Sequence, residues 1–577
     1  MYAEKEKLKE QRKMYGHAAQ VAAIAAFLAL LCYGFCYVAS IPWNLQSSSL
    51  WLIFIIYYLI MTAIGHVMYR SSAVKKGMVV VGILIITVFA ARHVLSSVLF
   101  VSQTAANRIT VQEGDFDADI PKTADLKKIP LMDSDAAAIL GNRAIGELSD
   151  VVSQYVLNQN EYSTILYNGK VVKVTPLEYD GIFKWFSNHK NGIPGYVIVD
   201  PETNSAKYVK LPNPIRYSMS GAFGENIYRH ARAKYPTKMF GNCMFQLDDD
   251  GNPVWSLMTY HNERGFSVWK TDGVIVVNAV TGETQWYDFD SVPEWIDSVY
   301  TGDNIAQLYD SYGMWQNGYW NSVFSQVGCT RTTDDYGYLA VDNDICIYTG
   351  VTSAASDNSN IGFIIVNSRT GEFTFYSSAG ADEHSAMAAA EGAVQNYGYQ
   401  ASFPSLINVS GDPVYAMILK DVSGLTKGYA FVNEKHYTVI GTGDTLNEAM
   451  RSYQNNMSKN GYNLKEMIDT ESTSSFDDVI REMYYLPVDG ELWTYIKAES
   501  GRVYKGYFND TDMLFSTGDE ITVTCEKKEE EKDVIEMIDL KKKGVESTAD
   551  TRRSSRDPDA IKDLDVSNVT NFDQLAQ

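Results

Sequence analysis

The chain has 577 residues, of which 71 are acidic and 49 basic, for a formal charge of −22. So acidic a surface argues against nucleic acid as a partner and against lying flat on anionic lipid, since both need basic patches; simple solubility is the other reading of the charge. The length leaves room for several domains, and six cysteines spread over it are too few for a disulfide-built scaffold.

Residues 1–16 are polar, with Lys5, Lys7, Lys9, Arg12 and Lys13. Residues 17–101 then hold three apolar runs, Ala18–Ser40, Leu50–Met68 and Gly77–Val101, each meeting the ~18 residues that a transmembrane helix needs. Their flanks read basic, neutral, basic: the loop Ile41–Ser49 has no charge, whereas the next carries Arg70, Lys75 and Lys76. Basic loops stay cytoplasmic. The expectation is therefore a cytoplasmic N-terminus and a large extracytoplasmic region after about Ser102, with Trp43 and Trp51 as interfacial anchors. A cleaved signal peptide fits neither the length of the first run nor the two spans that follow it. Arg92 and His93 near the end of the third run, and His66 near the end of the second, read as interfacial anchors; a proton or ion path is the other reading.

Cys32 and Cys36 lie within the first span, and Cys243, Cys329, Cys346 and Cys525 stand singly with no metal-ligand spacing. A Cys329–Cys346 bridge across a predicted strand pair and two free thiols are both open readings. Residues 102–132 are polar and acidic and read as a linker. Their acids, Glu113, Asp115, Asp117 and Asp119, lack the glycine and closing Glu of a calcium loop. An apolar stripe with Asp133 or Ser134 as N-cap predicts a helix over Ser134–Leu148.

Two α+β regions follow, 133–300 and 301–455, built on a repeated glycine, four apolar residues and then Asp or Asn. The copies are Gly195–Asp200, Gly273–Asn278, Gly362–Asn367 and Gly428–Asn433. In the middle two the turn is completed by Thr281-Gly282-Glu283 and Thr370-Gly371-Glu372; Asn204 and Tyr437 stand in the turn-glycine place of the outer two. The pattern predicts a β-hairpin with an Asx turn. Another strand precedes each hairpin, as from Asp250 and Gly411, and helices follow over Pro293–Tyr300, His384–Gln395 and Thr445–Tyr453, each expected to cover one sheet face.

A helix followed by a small antiparallel sheet whose last hairpin reads apolar-Val-[Asp/Asn]-x-x-Thr-Gly-Glu resembles PepSY domains, loosely over residues 150–455. The whole layout, with Tyr319–Ile361 between two copies, is similar to an uncharacterised group of Gram-positive (Firmicutes) membrane proteins. The first resemblance implies a module that binds and restrains peptidases; the second implies a place in the cell envelope.

Motifs for chemistry are scarce. The zinc-protease, nucleophile-elbow and phosphate-loop patterns are absent, and Tyr217-Ser-Met-Ser-Gly221 has Arg216 where an elbow needs glycine. No second ligand is spaced to join His189, His230, His261, His384 or His436 in a metal site, so no cofactor is expected. Asp248 and Asp250 are weak metal candidates that an ordinary turn also explains. Trp315, Tyr319 and Trp320 stand in an aromatic cluster suited to stacking on a sugar or gripping a peptide, or to an ordinary core. Residues 470–527 predict a small β-domain of OB-like or SH3-like barrel type, with a short helix at Ser475–Tyr484. Residues 528–577 read as a charged, disordered tail.

The sequence thus points to a membrane-anchored α+β protein: three N-terminal transmembrane helices, then antiparallel sheet and helix repeats. The expected role is binding or regulation, with the lipid bilayer and an envelope protein or polymer as partners. The alternatives are an envelope hydrolase built from distant residues, such as the acids of Asp248–Asp250, and an accessory subunit of a transport complex.

Overall fold

The computed structural model describes residues 2–69, 71–123, 126, 129–132, 134–146, 153–333, 335–462, 473–488, 491–508, 510–526 and 534–543. The chain divides into two compact units, residues 1–471 and 472–577.

Three helices begin the first unit: α1 (Tyr2–Val38), α2 (Ser48–Met68) and α3 (Ser72–Leu95). Each contains a stretch long and apolar enough to cross a membrane, Ala19–Val38 in α1 and the whole of α2 and α3. Little of their surface is buried within the protein, as expected of side chains that face lipid. Ser47 and Ser71 cap α2 and α3 by accepting from the amides of Leu50 and Val74.

The next segment is no free tether. Helix α4 (Val98–Ala106) continues from α3, and Val111–Glu113 pairs in parallel with Phe373–Phe375. A short helix, α5 (Phe116–Asp119), then buries Phe116 against Phe363 and Tyr376, with ring centroids 5.5 and 5.9 Å away. The Thr123 amide donates to the Asn408 carbonyl, and Leu126, Ile129 and Leu131 join an apolar core. The stretch read from composition as an acidic linker is thereby built into sheets formed hundreds of residues later.

Four modules follow, each a meander of four antiparallel strands. Module I comprises Ser163–Tyr167, Lys170–Tyr179, Ile193–Asp200 and Ser205–Ile215. Module II comprises Met239–Leu247, Pro253–Arg264, Ser267–Asn278 and Thr284–Asp288. Module III comprises Gly337–Val341, Asp344–Ser353, Ser356–Asn367 and Phe373–Ser377. Module IV comprises Ser405–Val409, Asp412–Lys420, Thr426–Asn433 and Ile440–Gly443. The helices interspersed among them are α6 (Ser134–Gly146), α7 (Gly181–Asn188), α8 (Ile227–Lys234), α9 (Gly302–Trp315), α10 (Tyr319–Phe324), α11 (Glu383–Ala393) and α12 (Leu446–Lys459).

The repeated glycine opens the apolar part of the third strand of every module, and the reason for four apolar residues in a row is now visible. In modules II to IV both faces of the sheet are buried. Ile275 and Val277 face module I while Val274 and Val276 face module III. Ile364 and Val366 face module II, whereas Phe363 and Ile365 face module IV. A strand covered on both sides has no polar face to alternate with. The expected arrangement of one helix over one sheet face is replaced by sheet on sheet, with α12 covering the outer face of module IV through Ala449, Met450, Tyr453 and Met457. Helix α6 packs Ala136, Ala137 and Ile145 against module I, and Ile139 lies beside Gly424 of module IV, so α6 wedges between first and last modules.

The hairpin chemistry follows the sequence pattern. Asp200, Asn278 and Asn367 each accept two following amides on Oδ1, and Asn433 accepts that of His436. Gly282 and Gly371 take φ of 75° and 69°, and Asn204 reaches 50° in the same place. Asn is the non-glycine residue that best tolerates that region. The predicted helices over His384–Gln395 and Thr445–Tyr453 are observed as α11 and α12, the latter with a Thr445/Glu448 capping box. Pro293–Tyr300 is not helical. Its amides are taken by the neighbouring modules, Asp297 donating to Gln246 Oε1 and Val299 and Tyr300 to the Ser368 carbonyl.

Module II and the helix before it, α8, stand on the three apolar helices and the loops that join them. Arg229 donates to the Val38 carbonyl, Arg92 to that of Gly265, and Asn44 to that of Thr237, while the Trp43 amide bonds Pro236. Gln46 exchanges three hydrogen bonds with Asn262. Buried Arg232 donates to Ser40, Tyr235 and Lys238 carbonyls and stacks 3.7 Å from the Phe240 ring centroid. Arg232→Met should leave those acceptors unpaired and lower stability by about 2–3 kcal/mol. Thermal unfolding in detergent, with limited proteolysis of the Ile41–Ser49 loop, checks it.

The second unit is a closed barrel of Thr473–Val488, Glu491–Ala498, Val503–Tyr507, Glu520–Glu526 and Val534–Lys542. Numbered along the chain, its strands run 1-2-3-5-4, with the third and fifth parallel, the order of an OB-type barrel. Ser475–Tyr484, expected as a helix, lies within its first strand. Val534–Lys542, in the stretch expected to be a disordered tail, instead supplies the fifth barrel strand by pairing with two others; apart from Lys543 the rest of 528–577 lies outside the described residues.

Candidate functional site

The first strands of the modules converge, and two cavities of about 340 Å³ each open where they meet. They share a wall of Asn160, Tyr162, Thr164, Tyr336 and Tyr338. One continues along module II past Asn242, Cys243 and Gln246; the other reaches Phe403 and Ser405 of module IV. The Lys173 ammonium donates to Thr164 Oγ and lies 5.4 Å from the Tyr338 ring centroid.

Glu161 lies at the end of a single 3-10 turn, Gln159–Glu161, whose cap is Asn158. Asn158 Nδ2 donates to Glu161 Oε1 at 2.9 Å. The Glu161 carboxyl group meets that of Glu178 from the second strand of module I. Glu178 is only 3% exposed, and its Oε2 accepts from both the amide and the hydroxyl of Ser220. Burial, then the neighbouring Glu161 charge, pushes Glu178 up to about 8, and burial also raises Glu161. Two carboxylates cannot both ionise at contact distance. At neutral pH Glu178 therefore holds a proton and donates it to Glu161, which satisfies Glu161 Oε2 and Glu178 Oε1, atoms that otherwise have no partner. Near them the Cys243 thiol borders the cavity; burial, then Glu161 and Glu178, raises it well above its ordinary value and keeps it protonated. The pair can give and take a proton or receive a ligand hydroxyl.

Asp297 reaches in from the segment before α9: its Oδ2 accepts the Leu166 amide at 3.0 Å, and burial pushes it up to about 7. Glu383 and Glu434 are two more fully buried carboxyls, between modules III and IV, each raised by burial to about 7. Glu383 accepts from the Gly350 amide and the Thr333 hydroxyl, and Glu434 from the Ser378 hydroxyl.

The residues singled out by sequence lie elsewhere. Asp248 Oδ1 accepts the amides of Asp250 and Asn252, and its Oδ2 accepts Asn252 Nδ2, so it closes the turn into the second strand of module II. No cluster of three metal-ligating side chains occurs among the described residues. Trp315 packs on Val101, Ala105 and Val268, while Trp320 is exposed and stacks on Phe324. Cys329 and Cys346 are buried and unbridged. Ser220 of the elbow-like Tyr217–Gly221 segment anchors Glu178. Reading the sequence missed Glu161 and Glu178, whose only signal is an acid set among the apolar residues of Val171–Tyr179.

No family model matches the sequence, and no curated protein does. Among solved structures the chain has slight similarity to an exo-β-1,3-galactanase from Phanerochaete chrysosporium, at 11% identity, TM-score 0.15, covering 59% of this chain and 80% of that one. A hydrolase from Bacteroides ovatus so described as putative gives 13%, 0.18, 66% and 86%, and a Synechocystis apocarotenoid oxygenase gives 8%, 0.13, 65% and 60%. Likeness at this level carries no argument about fold or activity.

Proposed function

We propose that this is a membrane-anchored binding protein of the cell envelope, whose modules hold a ligand where their first strands converge. The observation that carries the reading is the shared wall of Asn160, Tyr162, Thr164, Tyr336 and Tyr338: aromatic faces beside neutral hydrogen-bonding groups. Such a wall, with Glu161, Asp303, Asp135 and Lys173 elsewhere in the linings, suits a hydroxyl-rich glycan or an extended peptide better than a lipid. The basic N-terminal flank supports placing the modules outside the cytoplasm, and the hairpins' resemblance to PepSY domains supports a peptide or peptidase ligand. Full-length protein in nanodiscs should gain several degrees of thermal stability with one member of a panel of envelope glycan fragments and peptides. Tyr338→Ala should weaken that ligand at least ~10-fold. No shift from either class would sink the reading.

The Glu161–Glu178 pair favours a second reading, acid–base hydrolysis of the bound ligand. Turnover of the same panel that is lost in Glu161→Gln while binding persists would establish it.

A further inference from the structure

Helix α10 and the turn after it present an apolar surface that none of the described residues covers. Trp320 is 62% exposed, Val323 49%, Phe324 76% and Val327 71%, and the Trp320 and Phe324 rings stack 5.8 Å apart. From Ser311 to Thr330 there is no charged side chain, in a chain where 21% of residues are charged.

The position of this surface is set by α4 and α9. Exposed apolar side chains continue from Val94 and Leu95 at the end of α3 through Val98, Leu99 and Phe100, and stop at buried Val101. That change marks the outer boundary of the lipid-facing surface. Helix α9 runs antiparallel to α4: Arg108 donates to Ser311 at 2.9 Å, whereas Trp315, one turn further along α9, packs on Ala105 and Val101. The C-terminal end of α9 thus points back toward the membrane. Helix α10 begins four residues after Trp315 and packs on α4 as well. It therefore sits beside the helix whose run of exposed apolar side chains ends at Phe100.

We infer that α10 is an interfacial helix, inserting Trp320, Val323, Phe324 and Val327 into the outer leaflet and giving the modules a second hold on the bilayer. Indole, phenyl and valine side chains without charge are what the boundary between headgroups and acyl chains accepts. The occupant of this surface is lipid, and Trp320 is not part of a glycan or peptide patch. The cavity at the first strands and its ligand are untouched by this assignment.

The test uses full-length protein in nanodiscs made with acyl-brominated phosphatidylcholine, which quenches indoles that touch lipid. Trp43, Trp51 and Trp320 would be the lipid-facing indoles, so W320F should remove about a third of the lipid-quenchable emission. Val323→Asp with Phe324→Asp should make Trp320 accessible to aqueous iodide and insensitive to brominated lipid, with the melting temperature unchanged because both side chains are exposed. Equal lipid quenching of wild type and W320F, or iodide access to Trp320 in the unsubstituted protein, would overturn the assignment in favour of solvent or a protein partner.

Discussion

Full-length protein in detergent should melt at progressively lower temperature as pH rises from 5 to 8. Glu178 is held near 8, and Asp297, Glu383 and Glu434 near 7, against ordinary values of 4.5 for Glu and 3.8 for Asp. In each case burial is the largest cause. A folded-state value above the unfolded one means that the folded chain binds the proton more tightly. The stability each group confers is complete below the unfolded value and is lost as pH rises through the folded value, so the window runs from about 4.5 to about 8. One pKa unit corresponds to about 1.4 kcal/mol. Between pH 5 and 8 Glu178, acting with Glu161, then accounts for a loss on the order of 3 kcal/mol, a shift of several degrees in a chain of this size. Glu178→Gln keeps an acceptor for Ser220 and offers a permanent donor to Glu161. It should match wild type at pH 5, melt higher at pH 8 and flatten the profile. A wild-type melting temperature that is level or rising across the window would refute the assignment of the proton.

The second large effect concerns the repeated glycine. A Cβ at Gly195, Gly273 or Gly362 would lie 2.0, 2.1 or 2.2 Å from the carbonyl oxygen of Val209, Tyr287 or Tyr376 on the fourth strand. Backbone cannot step aside as a side-chain tip can, and Gly273 and Gly362 also take φ of 152° and 153°. Gly273→Ala and Gly362→Ala should each cost about 3 kcal/mol through overpacking and backbone strain. Gly428→Ala should cost less, because the nearest atom, the Gly443 carbonyl oxygen, is 2.9 Å away. Gly392→Ala, in helix α11 with open space around it, should be neutral or stabilising by up to ~1 kcal/mol. Urea titration of the four variants orders them, and equal midpoints would show that the close approach is not what selects glycine.

The same glycines explain what could be read from sequence. Each third strand announced itself because a clash-free residue, a run buried on both faces and an Asx turn fall within a few positions. Other features left no such mark. Val111–Glu113 is three residues long and pairs with a strand far along the chain. Glu161 and Glu178 meet only because the second strand of module I passes beside a 3-10 turn. The first barrel strand misled for a definite reason. Phe476, Val479, Ile480 and Met483 repeat at helical spacing, but a register shift between Ile480 and Glu482 lets Ile480 and Met483 reach one barrel core despite opposite parity.

Helix α4 and the strand that follows it are made early and completed late. Val111 finds its partner at Phe373, and Thr123 at Asn408, so backbone made directly after the third apolar helix waits for more than half of the chain to be made. Until then it is an unpaired edge beside a lipid surface. Vectorial folding from N- to C-terminus therefore cannot finish this protein. Modules I and II can form as they emerge, but the chain must return to its own beginning to close, and a nascent chain stalled before Phe373 would present an aggregation-prone strand at the membrane.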